Sequence, residues 1–196
     1  MSKKLILMCG PAGAGKTFIG KSIASRLSAT YLDKDVMCEV LVGALLVEKG
    51  SNKHDRESEI YASEVKHLEY KSLMSTAFDS MVAGNNTVVC SAPFLSQVTD
   101  DDWTQDLIDM SKILGFEIFA VWCHTDGNTS KERIIARNNP RDNWKLRHWE
   151  EYSANAQYSR PHSLLNFFTI DNGIKPKEAL ISQMTRFLDM VQEASA

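Results

Sequence analysis

The stretch GPAGAGKT, residues 10–17, decides the fold. It follows the apolar run LILMC (5–9) and precedes FIGKSIASRL, so a glycine-rich turn joins a strand to a helix. The spacing is GxxxxGK[ST], and each part of it has a separate task. Gly10, Gly13 and Gly15 let the main chain curl so that successive N–H groups face phosphate oxygens, with Pro11, Ala12 and Ala14 completing the cradle. The helix that follows adds its positive N-terminal end. Lys16 is placed to reach β- and γ-phosphates, and the Thr17 hydroxyl to bind Mg²⁺. A plain tight turn beside a solvated lysine is the alternative, and the strand before and helix after argue against it. The motif implies a nucleoside triphosphate and leaves the phosphate acceptor open.

Outward from the loop, strands alternate with helices. LILMC is a continuous apolar run, as a strand covered on both faces requires. Residues 16–27 carry apolar positions at helical spacing, and ATYLDKD (29–35) reads as a short second strand ending in two aspartates. Residues 36–49 form an apolar helix stopped by Gly50, KHDRES (53–58) is polar, and 57–83 is a long helix ending at AGNN. TVVCSAPF (87–94) is a buried strand closed by Pro93, TDDDW caps a helix that runs to Gly115, and FEIFAVWC (116–123) is a further strand. Residues 128–138 and 142–158 predict two helices separated by NNPR, then a strand NFFTI (166–170) and a closing amphipathic helix over 175–193. This order predicts an α/β three-layer sandwich around a parallel sheet. A length of 196 residues, with no internal repeat or linker, predicts one domain over 1–196.

Composition narrows the partners. The apolar fraction is 43% and the charged fraction 24%, ordinary for a soluble globular chain, and no leader or spanning segment is visible. A net charge of -3 supplies no basic field for nucleic acid or an anionic membrane. Cys9, Cys38, Cys90 and Cys123 are far apart with no CxxC pair, which predicts reduced, buried thiols and a cytoplasmic location. The five histidines show no ligand spacing, so no metal other than Mg²⁺ is expected.

The acceptor is approached through the carboxylates. A P-loop ATPase or GTPase usually has a second apolar strand ending in Asp, but TVVCSAPF ends in Cys90-Ser91-Ala92. The carboxylates instead follow the second strand, as Asp33 and Asp35. A kinase has to hold a hydroxyl in line with the γ-phosphate and take its proton, and a carboxylate at a strand end suits that task. Asp35 is equally placed to be the N-cap of the helix after it. In SKERIIARNNPRDNWKLRHW (130–149), Arg133, Arg137 and Arg141 recur every four residues, with Lys145 and Arg147 beyond. Arg133 and Arg137 share one helical face beside the break at Asn138-Asn139-Pro140. Such a run serves as a lid that closes cations over phosphates, or as a solvated basic face.

With the loop, the strand-two aspartates and the arginine run together, the chain resembles the P-loop small-molecule kinases of the shikimate and gluconate kinase type. That group takes in chloramphenicol phosphotransferase, zeta-toxin-like kinases and the kinase domain of polynucleotide kinases. RNNPRDNWKLRHWEEY (137–152), with SAPF (91–94) before it, is also similar to a subset of ATP-binding AAA proteins. The resemblance covers the whole chain in architecture and three places in specific residues. It implies a five-stranded parallel sheet in the order 2-3-1-4-5, a helical lid at about 128–147, ATP with Mg²⁺, and a small-molecule hydroxyl acceptor. It also implies Asp35 as base, Asp33 near Mg²⁺ or on the substrate, and Lys16 and Arg137 on the phosphates, with Arg133 as the second lid arginine.

Candidates for the acceptor pocket are Arg56, Tyr61 and Ser91. An arginine suits an anionic acceptor and a serine can bond a hydroxyl, while Arg56 could instead pair with Glu57 or Glu59. TIDNG (169–173) resembles the loop that cups adenine in small kinases, and an Asx turn explains the same residues. Two departures stand out. Segment 44–83 is longer than its counterpart in shikimate kinase. Polynucleotide- and zeta-type kinases carry a basic residue three after the base aspartate, where Cys38 stands here. The alternatives are a kinase for a nucleic-acid 5′ end or nucleotide sugar, and a nucleotide-binding switch without transfer.

Overall fold

The structure is a computed structural model and describes residues 2–173 and 176–194. Five parallel strands form its centre: β1 (Lys3–Cys9), β2 (Thr30–Asp33), β3 (Thr87–Ser91), β4 (Phe116–His124) and β5 (Phe167–Asp171). Their order is β2-β3-β1-β4-β5, with every neighbouring pair parallel. The helices are α1 (Lys16–Leu27), α2 (Lys34–Glu48), α3 (Lys66–Val82), α4 (Leu95–Val98), α5 (Asp101–Leu114), α6 (Gly127–Arg137), α7 (Asn143–Arg147), α8 (Trp149–Asn155) and α9 (Lys177–Glu193).

The period of two along each strand sorts the core into two faces. Leu5, Leu7 and Cys9 pack with Leu73 and Ala77 of α3, Leu107 of α5, and Trp122. Ile6 and Met8 pack on the other side with Ile19 and Ile23 of α1 and Phe187 of α9. Covering both faces is what a continuous apolar run needs, since each fully buried aliphatic side chain contributes about 1.5–3 kcal/mol. All four cysteines are free and buried. Among the described residues no helix is long and apolar enough to cross a membrane.

Several local features differ from the sequence expectation. β2 stops at Asp33, so Asp35 does not end the strand but lies in the first turn of α2. The N-cap is Asp33, whose Oδ1 accepts from the N–H groups of Asp35 (3.0 Å) and Val36 (3.4 Å); the capping role expected of Asp35 falls two residues earlier. The helix expected over 57–83 starts at residue 59 and runs through a π turn, Tyr61–Val65, before continuing as α3. Residues 55–58 form side-chain-capped turns instead, with Asp55 Oδ1 accepting from the N–H groups of Glu57 and Ser58 at 3.0 Å each.

The helix expected over 142–158 breaks at His148 (φ -115, ψ 41) into α7 and α8, with the His148 ring stacked on Trp144 at 4.7 Å. A short α4, entered through Phe94 in the left-handed region (φ 54), follows the SAPF turn. The expected start of the last helix at residue 175 lies outside the described residues, and α9 runs from 177.

Candidate active site

The phosphate loop bridges β1 and α1. Gly13 (φ 75) and Gly15 (φ 88) are left-handed, and a Cβ on Gly15 would lie 2.1 Å from Asn172 Nδ2. Every carbonyl from residue 10 to 14 accepts a side-chain hydrogen bond. Lys16 Nζ donates to Gly10 O and Pro11 O at 2.8 Å each, and Ser130 Oγ to Ala12 O at 2.8 Å. Arg133 Nη1 donates to Gly13 O at 3.1 Å and Asn172 Nδ2 to Ala14 O at 2.9 Å. Carbonyls engaged in this way cannot turn into the cleft, which keeps that side for N–H donors. Burial pulls the Lys16 ammonium down to about 8.

Asp33 sits where the loop meets the second strand. Its Oδ2 accepts from the Thr17 hydroxyl (3.3 Å) and from Tyr31 OH (3.0 Å), while its Oδ1 caps α2. Ser91 pairs with Asp33 across the sheet register, is buried, and shares a hydrogen bond with Tyr31. A hydroxyl and a carboxylate this close are hard oxygen donors of the kind Mg²⁺ takes. Among the described residues no cluster of three His, Cys, Asp or Glu side chains could hold another metal.

Asp35 faces two cations. Its Oδ1 is 3.2 Å from Lys34 Nζ, and its Oδ2 is 2.8 Å from Arg141 Nη1. Burial alone would raise its pKa, but Lys34 and Arg141 outweigh that and lower it. Lys34 is 3% exposed and lies 2.7 Å from Glu69 Oε2, which also accepts from Tyr61 OH at 2.5 Å. Lys34 and Glu69 went unnoticed in the sequence: a lysine between two aspartates and a glutamate in HLEYK both look like ordinary surface charges.

The three regularly spaced arginines meet three different partners. Arg133 spans Gly13 O and Asn172 O (2.7 Å), joining the loop to the β5–α9 turn. Arg137 holds the buried Asp142 with two hydrogen bonds, 2.5 and 2.6 Å. Arg141 covers Asp35, and Lys145 pairs with Glu57 at 2.6 Å. Arg56 pairs with neither Glu57 nor Glu59; its Nη1 donates to Lys53 O at 3.3 Å and its guanidinium lies 5.5 Å from the Tyr61 ring centre.

One cleft of about 690 Å³ collects these groups. Lys16, Thr17, Asp33, Asp35, Arg56 and Ser91 line it, as do Arg133, Arg137, Arg141 and Asp142. Of the other loop residues, Ala12, Gly13 and Gly15 line it, while Gly10, Pro11 and Ala14 are buried behind. Gly173 N donates to Asp171 Oδ1 at 2.9 Å, forming the Asx turn, and the segment directly beyond it lies outside the described residues.

A strand, a glycine-rich phosphate loop and a helix, set in a 2-3-1-4-5 parallel sheet, define a P-loop fold of the small-molecule kinase kind. A family model described as an AAA domain matches residues 5–158, and the chain belongs to that family. A shikimate kinase from Corynebacterium diphtheriae is 35% identical over 63 residues, a match spanning 30% of this chain and 36% of that enzyme. Among solved structures, a candidate kinase from Chloroflexus aurantiacus is 21% identical with a TM-score of 0.68, covering 98% of both chains. A gluconokinase from Sinorhizobium meliloti is 14% identical with a TM-score of 0.54, covering 100% of this chain and 98% of that one. At these identities the structural likeness establishes the fold.

Proposed function

We propose that the protein is an ATP-dependent kinase that phosphorylates a hydroxyl group of a small molecule, with Asp35 as the base. The observation that carries this reading is the convergence of the phosphate loop and Asp35 on one cleft, with Asp33 3.3 Å from the Thr17 hydroxyl between them. The reading treats 1–196 as one cytoplasmic kinase domain with a lid at about 128–147. Lys16 takes the β- and γ-phosphates, and Arg137, aimed by Asp142, takes the transferring group. Arg133 holds the loop in shape from the nucleotide side, while Arg56 and Ser91 face the acceptor. Thr17 and Asp33 would hold Mg²⁺, which would neutralise phosphate charge when bound there.

In the proposed step the acceptor oxygen attacks the γ-phosphorus, its proton passes to Asp35, and the bond to the β–γ bridging oxygen breaks to release ADP. Arg141 covers Asp35 before the acceptor arrives, so the hydroxyl has to share or displace that guanidinium. A carboxylate held below its usual range is a weak base. That suits a loose transition state, in which the hydroxyl keeps its proton until late.

The test is incubation with Mg·ATP and a panel of hydroxylated metabolites, antibiotics and oligonucleotides, with ADP and product measured together. Transfer to a small molecule supports the reading. Transfer to an oligonucleotide alone replaces it with a 5′-end kinase, and tight nucleotide binding without any transfer replaces it with a switch.

A further inference from the structure

Among the described residues three phenols line the cleft, and they divide between its two ends. Tyr61 and Tyr70 belong to the acceptor wall, where Tyr61 OH is bound to Glu69 and Tyr70 OH accepts from the Phe94 N–H at 3.2 Å. Tyr152 stands at the phosphate loop, and its hydroxyl oxygen accepts from the Ala12 N–H. It closes the run RNNPRDNWKLRHWEEY (137–152), sits in α8 beyond the arginines, and has no task in the reading above.

The place that Tyr152 occupies is defined by one peptide of the loop. The Ala12 N–H belongs to the peptide that joins Pro11 to Ala12, and the carbonyl of the same peptide accepts from Lys16 Nζ at 2.8 Å. A trans peptide points its C=O and N–H to opposite edges, so Lys16 and Tyr152 stand on either side of it. The next carbonyl, Ala12 O, is tied by Ser130 Oγ at 2.8 Å, which keeps the loop from turning away from the phenol. Arg137, given above to the transferring group, is near enough to act on the same phenol electrostatically. The ring is held without using its oxygen. Lys145 Nζ lies 5.7 Å from its centre while pairing with Glu57, and the Trp149 ring is 5.5 Å away.

A phenol has one proton to give and two lone pairs to offer. The Ala12 N–H takes a lone pair, and among the described residues no acceptor takes the proton. Burial, with the Tyr158 phenol and the Glu57 carboxylate near it, pushes the Tyr152 pKa up, so the proton stays on the oxygen. Tyr152 is thus a neutral donor whose proton is open to the same space as Lys16 and Arg137.

We propose that Tyr152 is a γ-phosphate contact, donating its hydroxyl proton to a γ-phosphate oxygen while its own oxygen stays on the Ala12 N–H. It is then the residue by which the site tells ATP from ADP, since a diphosphate ends short of this place and leaves the proton to water. This rests on the kinase reading in one respect, that the loop holds a nucleoside triphosphate.

The experiment is calorimetric titration of the wild type and of Tyr152→Phe, once with Mg·ADP and once with Mg²⁺ and a non-hydrolysable ATP analogue. The variant loses one oxygen and keeps its ring against Lys145 and Trp149. It is expected to bind the ATP analogue roughly tenfold more weakly than the wild type, the worth of one hydrogen bond to a charged group, and to bind ADP equally well. Equal weakening of both nucleotides would make Tyr152 a support of the loop, and unchanged binding of both would make it packing for α8. Tighter binding of the analogue would make the phenol a competitor for the Ala12 N–H. Each of these three results overturns the proposal. If the wild type binds neither nucleotide, the contact and the kinase reading fall together. If the split between the nucleotides appears but the acceptor panel shows no transfer, the contact is upheld and the kinase reading alone falls.

Discussion

The two ends of the cleft are held by different kinds of bond. At the phosphate-loop end, four side chains hold five main-chain carbonyls, and no carboxylate is consumed in doing so. At the acceptor end, charge meets charge: Asp35 with Lys34 and Arg141, Lys34 with Glu69, and Glu57 with Lys145. With two of its three N–H groups on carbonyls, Lys16 keeps the third for an anion, so this end has no reason to exchange its bonds when one arrives. An ion pair does, because the newcomer offers either partner a comparable contact. One end is therefore preformed, and the other is arranged to be rearranged.

Substitutions can break or sharpen this contrast. The largest effect is expected at the adjustable end. Asp35→Asn should lower kcat by roughly 10²- to 10⁴-fold, the usual worth of a general base, and leave Mg·ATP affinity unchanged in a binding titration. Its melting temperature should barely move, since the cap of α2 belongs to Asp33 and Lys34 keeps Glu69. Near-normal turnover would pass the base role to Asp33.

Glu69→Ala is expected to cost about 3–5 kcal/mol in urea unfolding, because it strands a buried ammonium on Asp35 alone. A loss under 1 kcal/mol would mean that the acceptor end does not depend on its buried charges. Lys16→Ala tests the preformed end. Nucleotide binding and transfer should fall together, by roughly 10²- to 10³-fold in kcat/KM, where the Asp35 variant separates the two.

The smallest effect is at the latch. Arg141→Gln uncovers Asp35 and should raise ATP hydrolysis in the absence of any acceptor by up to about fivefold, the rate equivalent of ~1 kcal/mol for a partly exposed pair. A fall in hydrolysis would make Arg141 a phosphate contact instead.

The sheet and the phosphate loop were legible because their signals are contiguous. LILMC, TVVC and FAVWC announce strands covered on both faces, and the loop acts through backbone whose spacing is written in consecutive residues. The acceptor end was harder, because its bonds join distant charges. Lys34 and Glu69 are 35 residues apart, and the loop end hides bonds of the same reach, since Ser130 and Asn172 stand 118 and 158 residues from the carbonyls they hold. The two aspartates of DKD illustrate a nearer limit. Both are good caps by composition, and only the extended backbone of Asp33 (φ -113, ψ 118) decides which of them serves. The even spacing of Arg133, Arg137 and Arg141 suggested a shared task that the structure divides three ways.

The π turn at Tyr61–Val65 makes this region sensitive to chain length as well as to composition. Removing one residue there, such as the exposed Ser63, would close the turn into ordinary helix with Tyr61 seven residues before Glu69 and within about 20° of it. One more inserted residue would instead rotate everything before it by about 100°. With that insertion Tyr61 would leave Glu69 and Arg56 would swing away from the cleft, while α3 stayed packed on the sheet. A lineage carrying this frame could therefore change its acceptor by gaining a single codon, with the phosphate chemistry inherited intact.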